Sequence, residues 1–238
     1  MKKAKMKSKK IEEAIKSIKE GNFVLVYDAD GREEETDFII GAEFVSDDSI
    51  YRMRHDGGGL VFLMIHREIG DKLGLPYLAD VFYRCASKWP VLKELIPNDI
   101  PYDTKSSFSI TINHRRTFTG VTDKDRAMTM REFAGLAGRI GDMNGTDAQR
   151  AFGEEFRAPG HVPICMASEE LLKERRGHTE LSVALAVMAG ITPVTAGCEM
   201  MDHGHSLRKE DAIKYADENG LVFLEGREIV EAWEEWQE

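Results

Sequence analysis

The sequence predicts a mixed α/β fold (α+β-like), a mixed sheet with helices packed around it in one compact domain spanning residues 1–238. Three observations carry this. Apolar runs of strand length recur between glycines and charges, as in residues 22–28 and in Leu60-Val-Phe-Leu-Met-Ile65. Other segments space their apolar residues three and four apart, beginning with Ile11, Ala14, Ile15 and Ile18. The two kinds of segment follow no strict βαβ alternation, and no long Pro- or Ser-rich linker or internal repeat divides the chain. At 238 residues, 42% hydrophobic and 31% charged, the chain can bury a substantial core and has the composition of a folded globular protein.

The first helix is capped by Ser8 and stopped by Gly21, with the lysine-rich residues 1–10 ahead of it as a mobile basic tail. Residues 22–28 form a buried strand ending in acid. It opens into the charged loop Asp30-Gly-Arg-Glu-Glu-Glu-Thr-Asp37, and a second strand follows from Phe38 to Ala42. Gly57-Gly-Gly59 introduces the strand Leu60–Ile65. Residues 90–104, with three prolines, read as an ordered loop. Ser107–Asn113 alternates Phe108, Ile110 and Ile112 with Ser109 and Thr111, the pattern of a strand with one face on the core. Residues 129–140 are expected to be helical, Val162–Ala167 a strand, and Ser168–Arg176 and Thr179–Ala189 two helices. A strand at Thr192–Ala196 precedes a loop over Gly197–Ser206. The last elements are a helix over Arg208–Glu218, a strand over Leu221–Phe223 and a helix over Glu225–Trp236.

The net charge of −10 disfavours binding to nucleic acid or an anionic membrane, since polyanions require a basic stripe. Lys2–Lys10 is the one basic run, and it reads as a solvated terminus. No apolar stretch approaches the ~20 residues that cross a bilayer, and no signal-peptide segment opens the sequence, so a cytoplasmic location is expected. Three scattered cysteines, Cys85, Cys165 and Cys198, fit reduced thiols and neither a disulfide framework nor zinc knuckles.

Four segments can carry chemistry. In the first, Arg32, Glu33, Glu35 and Asp37 lie in a loop between strands, where carboxylates can hold a hard divalent cation and the arginine can clamp a phosphate or hydroxyl; a charged surface hairpin is the alternative. The second is Arg175-Arg-Gly-His-Thr-Glu180, at the junction of two expected helices. Amides at a helix start, the arginines and Thr179 suit a phosphate, and His178 can ligate a metal; the alternative is a glycine stop and threonine cap with a surface histidine. The third and fourth are Pro159-Gly-His161 and Cys198-Glu199, a histidine and a carboxylate able to exchange protons near neutral pH, or else a turn residue and a solvated acid. Asp202-His-Gly-His205 reads as a polar loop with no assigned role.

Taken in order with Ser106–Ile112 and Thr119–Arg126, these segments resemble the 3,4-dihydroxy-2-butanone 4-phosphate synthases, and the likeness covers nearly the whole chain. The steps of 17 residues from His161 to His178 and 21 on to Glu199 agree with that family. The resemblance implies a carbon–carbon lyase of riboflavin biosynthesis. It would turn D-ribulose 5-phosphate into L-3,4-dihydroxy-2-butanone 4-phosphate and formate by enolisation, dehydration, skeletal rearrangement and formate loss. It implies Glu33 and His178 as ligands of magnesium or manganese, two ions per site, with no organic cofactor. His161, Glu199, Glu33 and Glu35 would be catalytic, Arg32 and Asp37 would contact the sugar, and Arg175, Arg176, Gly177 and Thr179 would grip it and its phosphate. It further implies a homodimer with active sites at the subunit boundary. The fused GTP cyclohydrolase II of many bacterial relatives is not expected, because no cysteine cluster could bind its zinc. Two positions depart from the family: Glu34 adds a charge to the acidic loop, and Phe62 stands where many relatives have an active-site cysteine. Rival readings are another metal-dependent sugar-phosphate isomerase or aldolase, which would make no formate, a catalytically dead metabolite sensor, and a structural or nucleic-acid-binding module using the lysine-rich start, which the net charge disfavours.

Overall fold

The computed structural model describes residues 8–97, 99–103 and 105–238. Ser8 accepts a hydrogen bond from Ile11 N–H and opens α1 (Lys9–Lys19), which leads into β1 (Val24–Tyr27) and β2 (Thr36–Gly41). Next come α2 (Asp47–Arg52), β3 (Phe62–Ile65), α3 (Arg67–Leu73), α4 (Leu78–Cys85), α5 (Val91–Glu94) and β4 (Phe108–His114). Then follow α6 (Asp123–Arg139), α7 (Gly145–Glu155), β5 (Phe156–Met166), α8 (His178–Ala189) and β6 (Val194–Glu199). A small hairpin of β7 (Met201–Asp202) and β8 (His205–Ser206) precedes α9 (Lys209–Asn219), β9 (Val222–Glu225) and α10 (Gly226–Gln237).

Seven strands form one mixed sheet in the order β4-β5-β3-β6-β2-β1-β9. The β1/β9 and β3/β5 pairs are parallel and the other four antiparallel. Side-chain alternation divides the interior into two cores. Leu25, Phe38, Ile40, Leu63 and Ile65 face a layer containing α2, α3, α6, α7 and α9. Val24, Val26, Ile39, Phe62 and Met64 face α1, α8 and α10. Helix α8 is buried around nearly its whole circumference, with Leu181, Val183, Ala184 and Leu185 fully enclosed. Each leucine or valine buried there stabilises the fold by ~1.5–3 kcal/mol, which fixes the helix firmly against the sheet.

The fold class is as the sequence predicts; several boundaries are not. Lys9 and Lys10 already belong to α1, while the expectation of a mobile tail over residues 1–7 lies outside the described residues. Asp37 is inside β2, paired with Val26 on one side and Glu199 on the other. Strand β6 runs to Glu199 because β2 continues to pair with it beyond Ala196. Helix α6 starts six residues early, where the Thr122 hydroxyl accepts from Asp125 N–H at 3.1 Å. The helix expected over 168–176 is only a 3-10 turn, Leu171–Lys173; Leu171 sits at φ 48°, a left-handed backbone that cannot continue an α-helix. The loop expected at 90–104 contains α5, and Asn98 and Thr104 lie outside the described residues.

Candidate active site

The loop between β1 and β2 is organised by Asp28, 2% exposed. Its carboxylate accepts from the backbone N–H of Glu33 (3.0 Å) and of Glu35 (3.1 Å), and from Arg32 Nη1 at 3.0 Å. Between the two held amides, Glu34 takes a left-handed backbone (φ 59°) and its exposed side chain turns back to accept from Gly31 N–H at 2.7 Å. The extra charge of Glu34 thus points away from the cavity wall, which Glu33, Glu35 and Asp37 line.

Parity within the sheet supplies the rest of the acidic wall. Asp37, Phe62, Cys165 and Glu199 line the cavity, and Phe62 and Cys165 also pack into the core beside α8. The backbone N–H of Leu60 donates to Glu199 Oε2 at 3.0 Å. A Cβ on Gly59 would overlap that carboxylate, so the glycine permits the approach.

Helix α8 presents its first residues to the same space. Gly177 occupies the position before it with no side-chain cap, and Thr179 lines the cavity. A Cβ on Gly177 would collide with the guanidinium groups of Arg32 and Arg175, which converge there. Arg175 is gripped by Glu180 Oε2 through Nη1 (2.6 Å) and by Asp103 through Nε (2.5 Å). Asp103 also accepts from Arg32 Nη2 at 3.2 Å.

His178 lies between the two acidic segments. Its Nδ1 is 3.4 Å from Glu33 Oε2 and its Nε2 is 3.7 Å from Asp37 Oδ1 and 3.2 Å from the Glu35 carbonyl. Burial opposes charge on His178, but Asp37, Glu33 and Asp28 outweigh it and hold the imidazole up at about 9. Burial likewise opposes charge on Glu33, yet the His178 hydrogen bond and the charges of His178, Arg32 and Arg175 bring it down to about 2. Asp37 is pushed well above the usual carboxylate range by burial, with His178 opposing and Glu199, Glu33 and Glu35 reinforcing. Glu33 is the closer of the two carboxylates to the imidazole. Burial also raises Glu199, and neighbouring Glu35 adds to the rise.

The resulting cavity is about 220 Å³ and continues past Tyr102 and Arg175 into a second hollow of about 610 Å³. Five carboxylates line it, Glu33, Glu35, Asp37, Asp103 and Glu199, against the cations Lys105, Arg175 and His178. Asp37 is 1% exposed, and neither of its oxygens has a hydrogen-bond partner among the described residues. Ligand atoms of Asp28, Glu33 and His178 fall within 4.8 Å of one another. Excess buried carboxylate, an orphaned aspartate and a neighbouring imidazole form a donor set that fits a hard divalent cation. Asp28 is committed to its three hydrogen bonds, which leaves Glu33 and His178 as the available ligands.

Among the residues singled out from sequence, Glu33, Glu35, Asp37, Arg175, His178, Thr179 and Glu199 line this cavity, and Arg32 and Gly177 back it. Arg176 is exposed, with Nε directed to the Leu172 carbonyl at 3.4 Å. His161 is exposed on β5 and is not on the cavity wall. It lies four residues from Cys165, roughly 13 Å along an extended strand. Sequence reasoning missed Asp28, Asp103 and Ser206, whose hydroxyl donates to Glu35 Oε1 at 2.6 Å. Only Asp28 left a signal, as the acid that ends an apolar run.

Fold and site together define a metal-assisted enzyme for a small anionic substrate, built on a mixed sheet with helices on both faces. The family model for 3,4-dihydroxy-2-butanone 4-phosphate synthase matches residues 12–232. The chain belongs to that family. It is 48% identical over 229 residues to the 3,4-dihydroxy-2-butanone 4-phosphate synthase of Methanothermobacter thermautotrophicus, covering 95% of this chain and 97% of that protein. A solved cation-free 3,4-dihydroxy-2-butanone 4-phosphate synthase superposes with a TM-score of 0.73 at 25% identity, covering 96% of this chain and 98% of that one. Another, in complex with two magnesium ions, gives 0.70 at 26% identity over 91% and 93%. Among the described residues, no helix is long and apolar enough to cross a membrane.

Proposed function

We propose that this cavity is where the chain carries out the reaction of its family, the conversion of D-ribulose 5-phosphate to L-3,4-dihydroxy-2-butanone 4-phosphate and formate in riboflavin biosynthesis. The observation that carries the assignment is Asp37, fully enclosed with neither oxygen hydrogen-bonded among the described residues, beside the Glu33–His178 pair. Glu33 and His178 would hold the metal, two magnesium or manganese ions per site in keeping with the excess of carboxylate. Bound there, a divalent cation polarises the substrate carbonyl and stabilises the negative charge left when the neighbouring carbon loses its proton.

The chain's own groups do the rest. Arg175, aimed by Glu180 and Asp103, joins Thr179 and the amino-terminal end of α8 in binding the phosphate, where backbone amides favour an anion. Arg32 and Asp37 meet the sugar hydroxyls. Glu199, raised by burial, is a competent proton acceptor near neutral pH, and Glu35 is held for a second transfer by Ser206. Phe62 fills wall space and excludes water. His161, outside its own chain's cavity, reaches the reaction from a second subunit, which is the reason to assign a homodimer. Arg176, outside the cavity as well, is left with no contact to the sugar within its own subunit. Three free cysteines support a reducing, cytoplasmic setting.

Carbon-labelled ribulose 5-phosphate with magnesium, followed by NMR against an EDTA control, tests the assignment. Stoichiometric, metal-dependent formate and a four-carbon ketose phosphate are expected; a rearranged pentose phosphate or bound, unchanged substrate would refute it.

The raised imidazole yields a second expectation. With His178 at about 9, the cation-free protein carries its proton at neutral pH, and a cation must displace it. Binding at the Glu33–His178 site is expected to release about one proton near pH 7 and none well above pH 9, with affinity rising about tenfold per pH unit below that point. Titration calorimetry in buffers of differing ionisation heat reads the proton count directly. Zero release at pH 7 would remove His178 from the ligand set.

A further inference from the structure

Asn113 on β4 is 4% exposed, and two partners of fixed polarity orient its side chain. The His161 backbone N–H, which can only donate, lies 2.8 Å from Asn113 Oδ1. The Thr119 carbonyl, which can only accept, lies 3.5 Å from Nδ2. Rotating the amide by half a turn would set donor against donor at the His161 amide and acceptor against acceptor at the Thr119 carbonyl. Gly120, at φ 93°, closes the pocket, and a Cβ there would overlap the amide. Nδ2 is also 3.1 Å from His161 Nδ1. Facing an amide donor, Nδ1 must offer its lone pair, and the ring proton then resides on Nε2.

We propose that Asn113 is a positioning residue that locks His161 in the neutral Nε2–H tautomer, so that His161 acts as a hydrogen-bond donor at Nε2 and not as a base. A neutral imidazole of this kind polarises a substrate oxygen without surrendering its proton. Base duty then falls on carboxylates such as Glu199. The catalytic half of the inference rests on the reading that His161 takes part in the reaction; the tautomer does not.

Selective 15N-histidine labelling and long-range proton–nitrogen correlation, at a pH of about 8.5 where ordinary imidazoles are neutral, read the tautomer, with the His161→Ala protein identifying the signal. A pyridine-type Nδ1 and a protonated Nε2 are expected. Asn113→Asp, whose carboxylate accepts from Nδ1–H, should reverse the pattern and lower kcat on the order of tenfold or more, with KM little changed. His161→Gln, which keeps a donor, should exceed His161→Glu by a similar factor. A wild-type proton on Nδ1 overturns the proposal whether or not the Asn113 variant folds, and so does His161→Glu outperforming His161→Gln. Full activity of His161→Ala would instead refute the participation of His161, leaving the tautomer result intact.

Discussion

His178→Ala is expected to bind magnesium or manganese at least about a hundredfold more weakly and to produce formate at about a thousandth of the wild-type rate. The first figure follows from losing a ligand outright, where even loss of an outer hydrogen bond costs 10–100-fold. The second takes the cation's effect as about 4 kcal/mol at ~1.4 kcal/mol per tenfold of rate. His178 also bridges the acidic loop to β2, at 3.4 Å from Glu33 and 3.7 Å from Asp37, so the variant leaves these two carboxylates without the cation they share. Calorimetry and the formate assay together check the outcome. Unchanged metal affinity would exclude the residue as a ligand, whereas lost affinity with full formate production would exclude the cation from the chemistry.

Subunit mixing has an equally large contrast. His161→Ala and Glu33→Gln should each be nearly inactive as pure proteins. If His161 serves the neighbouring subunit, a heterodimer of the two carries one intact site, because Glu33 from one chain meets His161 from the other. Random reassortment of an equal mixture then restores about a quarter of wild-type activity, since about half the dimers are mixed and each has one of its two sites whole. If both residues served the same chain's cavity, no site in any dimer would be whole and no activity would return. Ultracentrifugation establishes the assembly and confirms that exchange has taken place; a fully active monomer would end the two-subunit account.

The elements legible in the sequence are those whose pattern is set by one continuous buried surface. Ile11, Ala14 and Ile18 mark α1, and the alternation through Ser107–Asn113 marks β4. Helix α4 is not legible, because none of its residues is buried and its two aromatic side chains, Phe82 and Tyr83, are exposed. The start of α7 carried a readable cap, Asn144 accepting from Asp147 N–H at 2.9 Å, but without a strong apolar stripe after it. In the candidate site, the chemistry of the acidic loop and of Arg175–Thr179 could be recognised from local residue types and family likeness. Asp103 and Ser206 could not. Asp103 meets Arg32 across 71 residues and Ser206 meets Glu35 across 171, and local patterns carry no information about such pairings. His161 is the converse case, prominent in the sequence yet outside the cavity its own chain builds.

By engaging two amides and a guanidinium, Asp28 sets the shape of the Arg32–Glu35 segment before any ligand arrives. Each residue held this way has already given up ~1–2 kcal/mol of backbone conformational entropy during folding. Encounter with substrate therefore requires little reordering of this stretch, so capture should proceed by docking into a standing template, and more of the contact free energy remains as affinity.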